Sequence, residues 1–302
     1  MLRIPLLHSE MPMTTRSVGT LLANSALLRR GRCLYEENER NWELPLGKID
    51  KLWAGAYVIL RDYGVGRFPP TFLNQAAAYQ AEIDYSTCLP GLSQAEVTDI
   101  ESRKPFNFSG ADYLPRFHLV MRTFARLGIR PPARLLELGC GSGWMAEFLA
   151  TMRFDVTGST IARNDIEIAN RRVEGLRSRE IPVLLSFIES PMERVAAKVS
   201  DLPPYDAVYV FEALHHAFSW REAMASAYEC LKPGGWLLIF DEPNILHTFI
   251  SYRVARLSNT HEIGFRRSEL LKVARSTGFR RSLVLRNRFG FLTRPHWIAI
   301  QK

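Results

Sequence analysis

The chain has few cysteines and no long apolar run, and both absences narrow the classes of protein to which it can belong. The four cysteines, Cys33, Cys88, Cys140 and Cys230, show no C-x-x-C spacing, so they predict free thiols in a reducing compartment and no zinc site. No apolar run approaches the roughly 18 residues of a membrane-spanning helix, and the N-terminal region lacks the continuous apolar segment of a secretory signal. We therefore expect a cytoplasmic protein without a membrane span.

Acidic residues are scarce near the C-terminal end of the chain. Between residues 251 and 302, twelve lysines and arginines stand against two acids, Glu262 and Glu269, and this excess is larger than the net charge of +8 for the whole chain. A basic face of this kind favours an anionic partner such as a phosphorylated metabolite, a nucleic acid or an acidic lipid. The alternative is an ordinary solvated surface, because net charge governs association rather than fold.

The 302 residues divide by pattern into two parts. Residues 1–110 lack alternating strands and helices and give helical patterns at 18–30, 49–63 and 72–82, so we expect a helical extension or cap there. Residues 111–302 start with a helical pattern and then alternate strands and helices, which predicts a Rossmann-like, doubly wound α/β domain. The seven predicted strands cover residues 134–138, 154–160, 182–188, 207–211, 236–241, 282–285 and 295–300.

The last two of these predicted strands have no room for a crossover helix between them. Strands joined by a short link pair antiparallel. We therefore expect a mostly parallel sheet with one reversed strand near its C-terminal edge.

The stretch from Glu137 to Trp144 is the most informative feature of the sequence. An apolar run ends at Glu137, Gly139, Gly141 and Gly143 follow at alternate positions, and a helical pattern begins at once. Glycine has no Cβ and tolerates positive φ, so a nucleotide-like ligand can approach the main chain of such a loop. A dinucleotide-binding fingerprint would place its third glycine at position 144, where this chain has Trp144.

In this context the second part of the chain resembles the class I S-adenosylmethionine-dependent methyltransferases over roughly residues 130–302. The matching segments are 136–143, 154–158, 205–208 and 231–235, together with the reversed strand. Lys104-Pro105-Phe106, Leu214-His215-His216 and Glu242-Pro243 followed by His247 are similar to bacterial members that modify sugars or other small metabolites. The resemblance implies S-adenosylmethionine as cofactor and methyl transfer to a small molecule, most simply a hydroxyl of a sugar or secondary metabolite.

The resemblance also implies roles for individual residues around the cofactor. The loop, with Cys140 and Trp144 among its glycines, would hold the methionyl part, and Glu137 would meet the amino group directly or through water. The second strand should end in an acid for the ribose, but this chain has Ser159 and Thr160 there. Asp165 either substitutes for that acid or is a solvated residue of the first helical turn. The remaining implied contacts are Glu189 and Ser190 beside the adenine, where Pro191 stands near the usual Asp, and Phe211 and Glu212 after the fourth strand.

Four residues after the fourth and fifth strands are candidates for catalysis. Ligands bind outside the carboxyl ends of the strands in open α/β sheets, and imidazole titrates near neutrality, so His215 or His216 could act as a general base. Both could instead be structural, one packed under the loop and one solvated. Glu242 and His247 could orient an acceptor. With His215 they could also hold a divalent ion, but that idea depends on proximity alone and we expect no metal.

Two further hypotheses stay open beside the small-molecule methyltransferase. The basic region favours an RNA methyltransferase, and the altered positions Thr160 and Pro191 favour a methyltransferase-like protein that binds without catalysis. The small-molecule acceptor could be anionic, and the sequence does not indicate the oligomeric state. Aromatic residues of the N-terminal part would form either an apolar wall for the acceptor or a core of their own: Trp42, Trp53, Tyr57, Tyr63, Phe68 and Tyr85.

Overall fold

The computed structural model describes residues 24–38, 46–68, 72, 74–87, 92–106, 112–261, 263–286 and 295–302. Within them lie a seven-stranded sheet and helices on both of its faces. The strands are β1 Arg134–Leu138, β2 Asp155–Thr160, β3 Leu184–Glu189, β4 Tyr205–Phe211, β5 Leu231–Glu242, β6 Arg281–Arg286 and β7 His296–Gln301. The α-helices are α1 Arg29–Asn38, α2 Lys48–Gly64, α3 Gln75–Thr87, α4 Gln94–Arg103, α5 Tyr113–Leu127, α6 Trp144–Thr151, α7 Arg163–Arg177, α8 Val195–Lys198, α9 Trp220–Cys230, α10 Thr248–Ser258 and α11 Arg267–Thr277.

The strand order is β3-β2-β1-β4-β5-β7-β6, and β7 is antiparallel to both of its neighbours. The predicted fold class, a mostly parallel sheet with one reversed strand near the C-terminal edge, is confirmed. The carboxyl ends of β1 and β4, the two central strands on either side of the order reversal, therefore meet at one edge of the sheet. That edge is where open α/β sheets bind their ligands.

The core has one apolar layer on each face of the sheet because the side chains of a strand alternate between its two faces. Leu136 and Leu138 of β1 pack on one face, and Leu135 packs on the other. The second layer is rich in aromatic rings, and Phe124, Tyr209 and Phe240 meet there in edge-to-face and tilted contacts. This packing fixes the strand ends from which the site residues project.

The helical part includes a segment from far along the chain. Helix α10 packs on α2, and its Tyr252 joins Tyr57 and Phe68 in a separate apolar cluster. Asp62 at the centre is fully buried, and it accepts hydrogen bonds from the Tyr252 hydroxyl at 3.1 Å and pairs with Arg256 at 2.8 Å. The proposed division of the chain at residue 110 stays a prediction, although this contact joins the two sequence regions.

Several element boundaries differ from those expected from the sequence. Strand β5 begins at Leu231 and includes Pro233-Gly234-Gly235, which had predicted a break between a helix and a strand. Helices α4 and α10 were not predicted, although Ser93 and Glu96 form a reciprocal capping box at the start of α4. The predicted helix at 18–30 falls partly outside the described residues, and within them α1 follows a short 3-10 turn, Ala26–Leu28. In the described part of the chain no helix is both long and apolar enough to cross a bilayer.

Candidate active site

A cavity of about 390 Å³, here called the first cavity, lies at the carboxyl edge of β1, β2 and β4. Helices α3 and α4 cover it with Tyr79, Glu82, Tyr85 and Glu101, and Lys104 follows α4. The sheet domain contributes Gly139, Gly141, Thr160, Ile161, Ala162, Asp165, Ser190, Met192, Glu193, Glu212, Ala213, His216 and Ala217. Its volume falls within the roughly 300–1,000 Å³ typical of small-molecule sites.

The three alternating glycines all have positive φ, but they serve different purposes. A Cβ on Gly139 would lie 2.6 Å from Cβ of Ala213 and Cε of Met192, and a Cβ on Gly143 would lie 2.6 Å from the Phe187 ring. A Cβ on Gly141 would meet nothing within 4 Å, and Gly141 lines the first cavity. Packing therefore requires Gly139 and Gly143 to be glycine, whereas Gly141 leaves open space beside the cavity.

Four predicted cofactor contacts of the first strand and the glycine loop do not line this cavity, and one of them is Gly143, whose Cβ position faces the Phe187 ring. Glu137 is buried, and its Oε2 accepts a hydrogen bond from the Tyr209 hydroxyl at 2.9 Å. Burial raises the pKa of Glu137 to about 8 despite that bond and one from the backbone of Ala146. Trp144 packs edge-to-face on Phe148, and Cys140 is buried beneath the loop. A role of Glu137 toward an amino group stays a prediction.

The structure places Thr160 and Asp165 together in the wall of the first cavity. Burial, followed by the charge of Glu101, raises the pKa of Asp165 to about 6, while Lys104 and a hydrogen bond with Thr160 oppose that shift. Asp165 is thus no solvated first-turn acid. Ser159, in contrast, is fully buried and donates from Oγ to the backbone oxygen of Glu137 at 3.1 Å, away from the cavity.

The two residues predicted beside the adenine separate in the structure. Ser190 is buried, lines the first cavity and donates its backbone N–H to the Thr160 oxygen at 2.9 Å. Glu189 is exposed and lies outside the cavity wall. At the end of β4, Glu212 lines the cavity with φ of 50°, whereas Phe211 packs on Trp144.

The adjacent histidines belong to two different cavities. His216 lines the first cavity, and its Nδ1 lies 2.9 Å from Oε2 of Glu82 on helix α3. His215 lines a second cavity of about 230 Å³, and its Nδ1 lies 2.9 Å from Oε2 of Glu242. The imidazole rings are 4.0 Å apart, so the two pairs form one cluster, in which both carboxylates are buried and the His216 ring is partly exposed. Burial opposes ionisation of Glu82, but hydrogen bonds from His216 and the backbone of His261 outweigh it and lower its pKa.

The second cavity lies beside the first, and Glu212 lines both. Arg116 of α5 pairs with Glu212 at 2.8 Å and with Asp241 at 3.0 Å, so the ends of β4 and β5 are held by one guanidinium. The predicted residue His247 lines this second cavity with His215 and not the first. The other residues of its wall are Pro243, Ser251 and Pro295.

Glu242 is the last residue of β5, and its fully buried side chain contacts the loop after β4. Its Oε1 accepts the backbone N–H groups of Ala213 and Leu214 at 2.7 and 2.8 Å, and Oε2 faces His215. Burial opposes the ionised form, but His215 and these N–H groups lower the pKa of Glu242. The carboxylate is therefore occupied in holding the loop and lines neither cavity.

Apart from Tyr85, sequence reasoning missed the groups that helices α3 and α4 bring to the first cavity. Tyr79 donates to Glu193, and Lys104 pairs with Glu101 at 2.7 Å. Arg172 of α7 donates to the backbone oxygens of Glu101 and Lys104 at 2.9 Å each, which attaches the end of α4 to the sheet domain. No spacing in the sequence indicates the long-range contacts of Tyr79 and Arg172, whereas Lys104 lies three positions after its partner Glu101.

The aromatic residues of the N-terminal part divide between the two predicted uses. Tyr85 lines the first cavity, whereas Tyr57 and Phe68 belong to the separate apolar cluster. Trp42 lies outside the described residues.

The basic C-terminal region is partly used within the fold. Arg256 pairs with buried Asp62, and Nζ of Lys302 donates to the backbone oxygens of Tyr228 and Leu231 at 2.7 Å each. In the part of the chain that the structure describes, no group of three or more His, Cys, Asp or Glu side chains is arranged to hold a metal ion.

Comparisons with known proteins bear on the family and the fold of this chain. A family model described as "Methyltransferase domain" matches residues 113–282. The chain is 33% identical over 104 residues to a ubiquinone biosynthesis O-methyltransferase of Bordetella avium, covering 34% of this chain and 40% of that protein. It is 32% identical over 109 residues to an S-adenosyl-L-methionine-dependent Diels-Alderase of Talaromyces variabilis, covering 36% of each protein. The matched parts are thus well under two thirds of these relatives' lengths.

Among solved structures, the chain is similar to magnesium protoporphyrin IX methyltransferase of Synechocystis PCC 6803 with bound SAH. The TM-score is 0.54 at 16% identity, and the match covers 74% of this chain and 100% of that one. At this identity the similarity shows a shared fold.

Proposed function

Because this chain belongs to the methyltransferase-domain family, we propose that it binds S-adenosylmethionine in the first cavity and transfers the methyl group to a small-molecule acceptor. The observation that carries the proposal is the composition of the cavity wall. The wall contains the open backbone at Gly141 together with the side chains of Thr160 and Asp165. In all it has five carboxylic side chains and one lysine. Such a wall favours a cationic ligand that has a nucleoside part.

The residues of the wall fit the parts of this cofactor. Gly141 has no neighbour where a Cβ would stand, so the loop can receive the methionyl part against its backbone. Thr160 and Asp165 together offer the hydroxyl and the carboxylate that ribose hydroxyls require, which compensates for the acid missing from the end of β2. The apolar side chains of Ile161, Ala162 and Met192 would flank the adenine.

The bound cofactor supplies an electrophilic methyl group on a positively charged sulfur. The protein contributes position, charge and exclusion of water. Helices α3 and α4 cover the cavity, and Glu82, Glu193 and Glu212 place negative charge around it. Glu82 also fixes the ring of His216 through Nδ1, so the covering helix and the loop after β4 are joined at the site.

We assign Glu242 a positioning role in place of the direct catalytic one expected from the sequence. Its oxygens bind the backbone of the loop and His215, and no part of it is exposed. A hydroxyl of a sugar or secondary metabolite stays the proposed acceptor group, in line with the O-methyltransferase named among the relatives.

Calorimetric titration of the full chain with S-adenosylmethionine and S-adenosylhomocysteine tests the proposal. We expect saturable binding of both at one site, and no heat at millimolar ligand would refute it. Incubation with methyl-labelled S-adenosylmethionine then distinguishes a small-molecule acceptor from a nucleic-acid acceptor. Label should enter a small-molecule fraction, whereas label in RNA with steep salt dependence would instead support a nucleic-acid methyltransferase.

The relative named as a Diels-Alderase supports a second candidate function, in which S-adenosylmethionine is bound but its methyl group is not transferred. Tight cofactor binding with no transfer of label to any acceptor fraction would favour that function. It would equally fit a binding protein without catalysis.

A further inference from the structure

The second cavity has the size and the wall of a site for one small polar ring. At about 230 Å³ it is smaller than typical sites for drug-sized ligands, which begin near 300 Å³. Six of its eight wall residues are polar, and the other two are Pro243 and Pro295. Charged planar side chains such as Arg116 and Asp241 can exchange paired hydrogen bonds with vicinal hydroxyls, and the proline rings offer apolar surface.

The charges in this wall disfavour an anionic ligand. Arg116 is the one cation among the described residues of the wall, and both Glu212 and Asp241 already bind it. The His215 side chain is 12% exposed, and burial followed by the proximity of His216 lowers its pKa, while burial followed by Lys51 lowers the pKa of His247. Both rings are therefore neutral near pH 7, so within the described wall two carboxyl groups face one guanidinium, while Lys51 and Arg286 act on His247 and Asp241 from outside the wall.

His215 is held in the tautomer that a general base requires. Glu242 is fully buried and ionised, so Nδ1 of His215 donates to its Oε2 at 2.9 Å. The lone pair of the neutral ring then lies on Nε2. A base oriented by a buried carboxylate through its other nitrogen is the arrangement by which imidazole accepts a hydroxyl proton.

Glu212 connects this site to the first cavity because it lines both. The pair with Arg116 fixes its position, and its φ of 50° turns the chain between the two cavities. Glu212 is therefore a wall that the two cavities share.

We propose that the second cavity is the acceptor site, that it takes a neutral polyhydroxylated ring of about one monosaccharide, and that His215 is the base for the reacting hydroxyl. The inference rests on the proposed function, since it assumes a methyl donor in the first cavity. The acceptor O–H bond breaks, its proton passes to Nε2 of His215, and the oxygen uses the freed electron pair to bond the methyl carbon. The electron pair of the carbon–sulfur bond stays on sulfur, which departs as a neutral thioether.

Binding of matched sugars to the full chain, saturated with S-adenosylhomocysteine, tests the site without turnover. Saturation-transfer NMR compares methyl glycosides of glucose, galactose and mannose with the corresponding uronates. At least one neutral glycoside should give a signal, and its uronate should bind at least about tenfold more weakly. Equal or stronger binding of the uronates, or no signal from any neutral glycoside, would overturn the inference.

Two variants locate the binding and the base. Ser251→Phe fills the second cavity and should abolish the sugar signal, while the affinity for S-adenosylhomocysteine stays within twofold. Its control is Ser276→Phe on the exposed surface of α11. His215→Asn keeps a donor for Glu242 but removes Nε2, so sugar binding should persist while the rate of methylation of the bound glycoside falls by about 10²–10⁴. His118→Asn, at an exposed position of α5, is the matched control.

The outcomes separate this inference from the proposed function. A sugar signal that survives Ser251→Phe, or full turnover in His215→Asn, contradicts the inference although cofactor binding is intact. Loss of S-adenosylhomocysteine binding in the unaltered chain would refute the proposed function itself. Imidazole ¹⁵N shifts of His215, assigned with His215→Asn, should show a protonated Nδ1 and an unprotonated Nε2, and the reverse tautomer would exclude its role as the base.

Discussion

Replacement of Gly141 by alanine separates the use of the glycine loop in folding from its use in ligand binding. Gly141 has φ of +49°, where a residue with a Cβ costs roughly 1–2 kcal/mol. The new methyl group would meet no protein atom within 4 Å, so no packing cost adds to this strain. We therefore expect the free energy of unfolding to fall by about 1–2 kcal/mol and the protein to stay folded.

The same methyl group occupies space beside the first cavity, where the methionyl part of the cofactor would approach the backbone of the loop. We expect the affinity for S-adenosylhomocysteine to fall at least about tenfold, which corresponds to roughly 1.4 kcal/mol. Gly128→Ala is a matched control, because Gly128 has φ of +73°, an equally open Cβ position and no place in the cavity wall. It should lose similar stability and bind the ligand like the unaltered chain.

Chemical denaturation gives the two stabilities, and calorimetry on the folded variants gives the two affinities. Gly141→Ala and Gly128→Ala should agree in the first measurement and differ in the second. Unchanged affinity in Gly141→Ala would refute the reasoning, because the cofactor would then not approach this part of the loop.

Three further predictions concern charged residues in and around the site. Burial raises the pKa of Glu137 to about 8, so its folded form keeps a proton that the unfolded chain releases above about pH 4.5. The free energy of unfolding should therefore decline between about pH 4.5 and 8, by up to about 1.4 kcal/mol per pH unit. Urea titrations of Glu137→Gln should no longer show this slope. An unchanged slope would contradict the assignment of the raised pKa to Glu137. Asp165, with a pKa of about 6, loses its charge below that pH, so the affinity for S-adenosylhomocysteine should weaken several-fold from pH 7 to pH 5. Calorimetry on Asp165→Asn should show weak binding at both values, and a persistent pH dependence would assign the effect elsewhere. Asp62→Ala leaves Arg61 and Arg256 without their buried partner and should lower the free energy of unfolding, measured by thermal unfolding, by about 3–5 kcal/mol. Arg30→Ala breaks the exposed pair with Asp50 and should lower it by less than about 1 kcal/mol. Equal losses in the two variants would contradict the argument from burial.

The sheet and the position of its ligand edge could be predicted from the sequence because they depend on local patterns. Apolar runs separated by helical periods predicted the strands, and the short link before the last strand predicted the reversal at β7. Two of the alternating glycines, Gly139 and Gly141, line the first cavity at the carboxyl edge of β1, β2 and β4. Local patterns predicted the start of β5 less well. Leu231 of β5 pairs with Tyr205 of β4 and Trp236 pairs with Ala207, so the register of the two strands shifts between these pairs.

The side chains that complete the site depend on contacts that spacing does not encode. Glu82 reaches His216 across 134 positions of sequence, and Tyr79 reaches Glu193 across 114. The loop residues Cys140 and Trp144 instead pack inward, where Cys140 is buried and Trp144 lies against the rings of Phe148 and Phe211. Asp165 faces the cavity rather than solvent because α4 covers the start of α7.

The most direct test of the central claim, that the first cavity holds S-adenosylmethionine, is a crystal structure of the full chain with S-adenosylhomocysteine. We expect the ribose hydroxyls within hydrogen-bonding distance of Asp165 and Thr160, the methionyl part against Gly139 and Gly141, and the sulfur close to Glu212 beside the second cavity. A ligand seated in the second cavity, or with its ribose away from Asp165, would contradict the account.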